Sequence, residues 1–99
     1  MASRRVKPLL ELIAEERVLA TDLQRRRIEI GARLRKQRET LGLSMTEMRL
    51  LSGVIESTIS LLERGRIWKP AAARLLADAI DKRTTQEARR YTIVEHVAS

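Results

Sequence analysis

Leu43-Ser44-Met45-Thr46-Glu47-Met48-Arg49-Leu50-Leu51-Ser52-Gly53-Val54-Ile55-Glu56-Ser57-Thr58-Ile59-Ser60-Leu61-Leu62-Glu63-Arg64-Gly65 is the segment around which the rest of the chain must be arranged. It predicts two short helices joined by a tight turn. Ser44 is placed to cap the first, its hydroxyl accepting an unpaired first-turn amide. Glu47, three residues on, completes a capping box. Met48, Leu51 and Val54 continue an apolar face at helical spacing, and Gly53 stands where the chain turns sharply. A second helix near Glu56 to Arg64 carries Ile59 and Leu62 inward, and Gly65 ends it. Helices of about two turns each cannot enclose a core between themselves, so the flanking chain must support them. The stretch reads as a helix-turn-helix.

Composition bounds what surrounds it. The chain has 99 residues, 43 % of them hydrophobic, but Trp68 and Tyr91 are its aromatics and Phe is absent. One small domain with a core of Leu, Ile, Val, Ala and Met follows, in an all-α fold. Without cysteine, disulfides and thiolate metal sites are excluded. A single histidine, His96, leaves no metal cluster or histidine-based triad to assemble. No glycine-rich phosphate loop is present. We therefore expect no catalytic residues, no metal, no cofactor and no small-molecule effector. The apolar runs are too short to span a membrane and the amino terminus lacks a signal-peptide core. A cytoplasmic, nucleoid-associated location is the expectation.

The formal charge is +7, and between residues 21 and 40 seven basic side chains stand against three acidic ones. A basic excess concentrated before the motif attracts polyanions through counterion release.

In chain order, residues 1–7 read as a flexible basic arm and 8–22 as an accessory helix opened by Pro8. Leu9, Leu12, Ile13, Leu19 and Leu23 form a stripe on it that needs a partner, either its own domain or a second subunit, and we favour the subunit. Thr21 and Asp22 offer a cap, so a new helix begins there or one long helix passes through. Residues 23–81 form the motif domain, with Ile30, Leu34 and Leu41 inward and Arg25, Arg26, Arg27, Arg33, Arg35 and Lys36 mostly outward. Arg33 and Arg35 are candidates for phosphate contact; the alternative is a solvated face. Arg38 is in reach of Glu63 as a structural ion pair. Trp68 covers the loop before Pro70 or stacks against sugar and phosphate. Leu75, Leu76, Ala79 and Ile80 face the core from the next helix. Residues 82–99 are a helix, with Thr84 and Glu87 as a capping box and Ala88, Tyr91, Val94 and Val97 on one face, or a short dimer strand at Tyr91-Thr92-Ile93-Val94.

From Ile30 to Ile80 the chain resembles the Cro and phage-repressor type of helix-turn-helix. The resemblance rests on Gly31, Leu34, Arg35 and Arg38, then Leu41-Gly42-Leu43-Ser44, Glu47-Met48, Gly53-Val54, Ser57-Thr58-Ile59-Ser60, Glu63-Arg64-Gly65 and Lys69-Pro70. It implies a compact bundle of about five helices that binds double-stranded DNA as a homodimer at inverted repeats. Family members act as repressors, and some are antitoxins. By the same resemblance Glu56 and Ser57, then Ser60 and Leu61, reach base edges in the major groove. Ser44 and the amides of Met45 and Thr46 suit a phosphate at a helix start, while Arg64, Arg66 and Lys69 match positions beside the DNA backbone. Three departures stand out. Met45 replaces a frequent Gln, Ile55 replaces a capping Ser or Thr, and Leu61 is apolar. A module that binds another protein on the same fold is the alternative expectation.

Overall fold

Pro8 opens the first helix from its cap position. Its carbonyl accepts from the Glu11 and Leu12 amides at 3.0 and 3.1 Å, and its ring needs no donor there. In this computed structural model the backbone is described for residues 7–98 and the side chains for residues 7–90. Four helices follow: α1 (Leu9–Thr40), α2 (Met45–Ser52), α3 (Glu56–Glu63) and α4 (Pro70–Ala98). Among the described residues there is no strand. The predicted basic arm lies outside them except for Lys7, and so do the side chains of Tyr91, Val94, His96 and Val97.

The expected bundle of about five helices plus an accessory helix becomes four helices because two predicted boundaries dissolve. The accessory helix over 8–22 is the first half of α1, which runs unbroken through Thr21 and Asp22. No Gly or Pro interrupts residues 9–30, and the Thr21 hydroxyl donates back to the Arg17 carbonyl at 2.9 Å instead of capping a new helix. The C-terminal segment likewise continues α4. Thr84 donates to the Ile80 carbonyl at 2.8 Å and Thr85 to that of Asp81 at 2.9 Å. The backbone over Tyr91–Val94 is helical, so the strand alternative is not taken.

The true breaks lie at α2 and α3. Ser44 caps α2 in a complete capping box, its Oγ accepting from the Glu47 amide while Glu47 accepts from the Ser44 amide. Gly53 ends α2 in the left-handed region, φ 76°, where a side chain would be strained. Inside the turn the buried Ser52 hydroxyl donates to the Met48 carbonyl at 2.6 Å and accepts from the Val54 amide at 3.1 Å. The buried Ser52 hydroxyl is thus satisfied both as donor and as acceptor, as burial requires.

The core is Leu34, Leu43, Met48, Val54, Ile59, Leu62, Leu76, Ala79 and Ile80, with Leu41, Met45, Ile67, Trp68 and Ala72 packed against it. Three predicted core residues face out: Ile30, Leu51 and Leu75 are 40 %, 47 % and 50 % exposed. At Ile30 the reason is its neighbour. α1 meets α3 through Gly31, where a β-carbon would fall on the Leu62 carbonyl oxygen, and the adjacent residue is turned about 100° away. Leu75 is displaced in the same way by the buried Leu76.

This packed core is small beside the whole molecule. The radius of gyration is 20.6 Å and the extents are 76 × 34 × 17 Å, against about 13 Å for the radius of a compact domain of this length. The first half of α1 projects as an arm. Its Leu9, Leu10, Leu12, Ile13, Val18, Leu19 and Leu23 are all exposed, from 45 % at Leu12 to 82 % at Leu10. Among the described residues no helix is long and apolar enough to cross a membrane.

Candidate functional site

Burial divides α3 into two faces. Thr58, Ile59, Leu62 and Glu63 are buried, which follows from helical spacing once Ile59 and Leu62 anchor it. Opposite them, Glu56 and Ser57 are exposed and Ser60 and Leu61 are half-buried. The four residues assigned to base reading thus share one side of α3, with Ser57 the freest to approach a ligand and Leu61 partly packed.

Glu56 is already engaged. Its Oε1 accepts from the Thr46 hydroxyl at 2.8 Å and lies 3.9 Å from the Arg49 guanidinium. This links the start of α2 to the start of α3. It also draws Thr46 and Glu56, assigned separate phosphate and base roles, into one contact. Arg49 is absent from the sequence assignments. Its signal was the seven-residue separation from Glu56 across a turn, which no single-helix pattern reveals.

At the head of α2 the Ser44 hydroxyl is used by the cap, so an anion arriving there meets the Met45 and Thr46 amides instead. The Met45 side chain packs on the core. The capping contacts come first from the Ser44 backbone amide and then from its hydroxyl, and together they hold the Glu47 carboxyl below its ordinary range. α3 has no equivalent. Ile55 occupies its cap position without a side-chain hydrogen bond and is 61 % exposed.

Arg38 is structural. Its Nε donates to Glu63 Oε2 at 2.8 Å, Nη2 to Glu63 Oε1 at 3.0 Å, and Nη1 to the Leu43 carbonyl at 2.9 Å. The side chains are 12 % and 4 % exposed. The Glu63 hydrogen bond is the main reason the Arg38 pKa is raised still further, so the guanidinium keeps its charge at any working pH. This fork ties α1, the α1–α2 turn and α3 together and fixes the height of the exposed face.

The remaining basic candidates are peripheral. Arg64, Arg66 and Lys69 are exposed around the α3–α4 loop, and Arg64 Nε donates to the Ser60 carbonyl at 3.3 Å. On α1, Arg33 pairs with Glu29 and Arg35 with Glu39, both at 3.0 Å and both exposed. Surface pairs of this kind are worth under about 1 kcal/mol, so either arginine can exchange its partner for a phosphate at little cost. Arg27 differs. Its guanidinium stands 5.6 Å from the Trp68 ring centre, a cation–π contact that occupies both residues with packing. Among the described residues no group of three or more His, Cys, Asp or Glu side chains is gathered where it could hold a metal.

Comparison with protein-family models, with curated proteins and with solved structures gave no match.

Proposed function

We propose that this chain is a sequence-specific double-stranded DNA-binding transcriptional regulator, in its simplest form a dimeric repressor. Its motif residues resemble those of Cro and phage repressors, with α2 and α3 as the helix-turn-helix and α3 as the recognition helix. The observation that carries this reading is the exposed Glu56–Ser57 end of α3, held beside the start of α2 by the Thr46–Glu56 hydrogen bond, with Arg64, Arg66 and Lys69 exposed on the loop that follows the other end of α3. A helix of that kind presents its first residues to base edges while neighbouring amides and cations take phosphates. With Glu56 hydrogen-bonded by Thr46 and facing the Arg49 guanidinium, the acidic side chain at the groove is less repelled by phosphates.

Direct base contacts are few on such a surface: from Ile55 to Leu62 there is no Arg, Gln or Asn. Affinity then comes mostly from phosphates, and specificity partly from DNA shape and the spacing of two copies. The test begins with selection from a random duplex pool, followed by anisotropy titrations of selected and scrambled duplexes between about 50 and 200 mM salt. Arg66→Ala should weaken every duplex alike and reduce the salt slope by about one, whereas Ser57→Ala should lose about 1–3 kcal/mol of preference. If Ser57→Ala leaves the preference intact, the reading position is misassigned.

A second reading is supported by the exposed Leu50, Leu51 and Ile55 around the α2–α3 turn, 70 %, 47 % and 61 % accessible. An apolar rim of this kind suits a protein partner, as in an antitoxin or antirepressor. Absence of saturable duplex binding at low salt would favour it.

A further inference from the structure

The projecting half of α1 is built like one side of a helix pair. Leu12, Glu16, Leu19, Leu23, Arg26 and Ile30 recur at alternating intervals of four and three residues, the spacing of a two-helix seam. All six are exposed. Among the described residues nothing covers them, and the seam lies beside the face that Gly31 and Leu34 turn toward the core. We infer that the occupant of this seam is the same arm of a second copy, running antiparallel.

Charge decides the direction. Residues 11–22 of α1 carry Glu11, Glu15, Glu16 and Asp22 against Arg17, while residues 25–36 carry six basic side chains against Glu29. A parallel pair sets Glu16 on Glu16 and Arg26 on Arg26 inside the seam. An antiparallel pair with its two-fold axis at position 21 sets Leu19 on Leu23, Glu16 on Arg26 and Leu12 on Ile30, each layer made twice. Like charges then meet only along one flank, at Glu15, Asp22 and Glu29. Of these, Glu15 is paired with Lys7 and Glu29 with Arg33 within their own chain.

Surface area supports a second copy. A folded monomer of 11.4 kDa exposes about 5,800 Å². This chain exposes 8301 Å², an excess larger than the roughly 800 Å² per partner that a stable interface uses. Residues 81–90 of α4 hold no large apolar side chain and so form no comparable seam.

The proposal concerns self-association alone and stands or falls without DNA. Sedimentation of the full chain, free of nucleic acid, should show a dimer. Leu19→Asp with Leu23→Asp should make it monomeric, with at least about a tenfold loss of dimer affinity and an unchanged cooperative melt of the core. Glu16→Arg alone and Arg26→Glu alone should each weaken the dimer, and the double exchange should restore it. Because the chain has no native cysteine, direction can be read directly. Oxidation should crosslink Leu12→Cys to Ile30→Cys in a mixture, but not Leu12→Cys to itself. A monomeric wild-type chain, a dimer indifferent to the Leu19 and Leu23 changes, failure of the double exchange, or self-crosslinking at position 12 each overturns the proposal.

Discussion

Arg38 and Glu63 sit 25 positions apart, and their pairing is what holds the exposed face of α3 in place. The carboxylate is 4 % exposed and receives two guanidinium donors, while the third goes to the Leu43 carbonyl. Removing one partner leaves the other charge buried without compensation, which costs about 3–5 kcal/mol. Arg38→Ala should therefore lower the stability measured by chemical denaturation by about that amount. Arg38→Met with Glu63→Leu removes both charges at similar volume, and its cost should be much smaller because no orphan charge remains. Equal losses in the two variants would mean that the fork contributes through geometry and not through desolvated charge. Gly31 makes a complementary point about what a sequence discloses. Within a helix it looks like a weak spot, since glycine costs about 1 kcal/mol there relative to alanine. Its role is legible only when the Leu62 carbonyl is seen occupying the place of its missing β-carbon.

Among the elements, boundaries marked by backbone chemistry were legible and boundaries marked by side-chain caps alone were not. Gly53 and the Ser44–Glu47 box, which follows the left-handed Gly42, each coincide with a helix end, because a positive φ is incompatible with continuing the helix. Thr21 and Thr84 looked like caps of the same kind. With no upstream breaker the helix reaches them intact, and their hydroxyls turn back to carbonyls four residues earlier. The exposed face of α3 was legible from the period of Ile59 and Leu62. The Thr46–Glu56–Arg49 contact was not, since it depends on the angle between α2 and α3.

The α2 cap has a pH signature. The Ser44 amide and hydroxyl favour the ionised Glu47, so its folded pKa lies below the ordinary value and the unfolded chain takes up the proton first as pH falls. The contribution is complete above the ordinary glutamate value of about 4.3 and disappears as pH drops through the lowered folded value. Glu47→Gln keeps the cap geometry and removes the titration. Denaturation between about pH 3 and 6 should show a shallower acid loss for that variant than for wild type. Parallel curves would place the acid sensitivity elsewhere.

For the whole molecule, the length of α1 becomes a ruler. With the pair axis at position 21, the core contacts at Gly31 and Leu34 lie ten and thirteen residues away, about 15 and 20 Å at 1.5 Å per residue. Two cores are then held roughly 30–40 Å apart, and half-sites on one face of B-DNA repeat every 34–36 Å. If the chain is a regulator bound through α3, its selected sites should be inverted repeats with half-site centres about 10–10.5 base pairs apart. Binding to spacer variants tests whether the linkage is this rigid. Five added base pairs rotate the second half-site to the far side and should reduce affinity to that of one half-site. Ten added base pairs restore the face but lengthen the separation by about one turn, or 34 Å. A continuous helix pair cannot stretch that far, so affinity should stay low. Recovery at ten would instead require a flexible connection between the two cores, and would separate DNA binding from the α1 pairing.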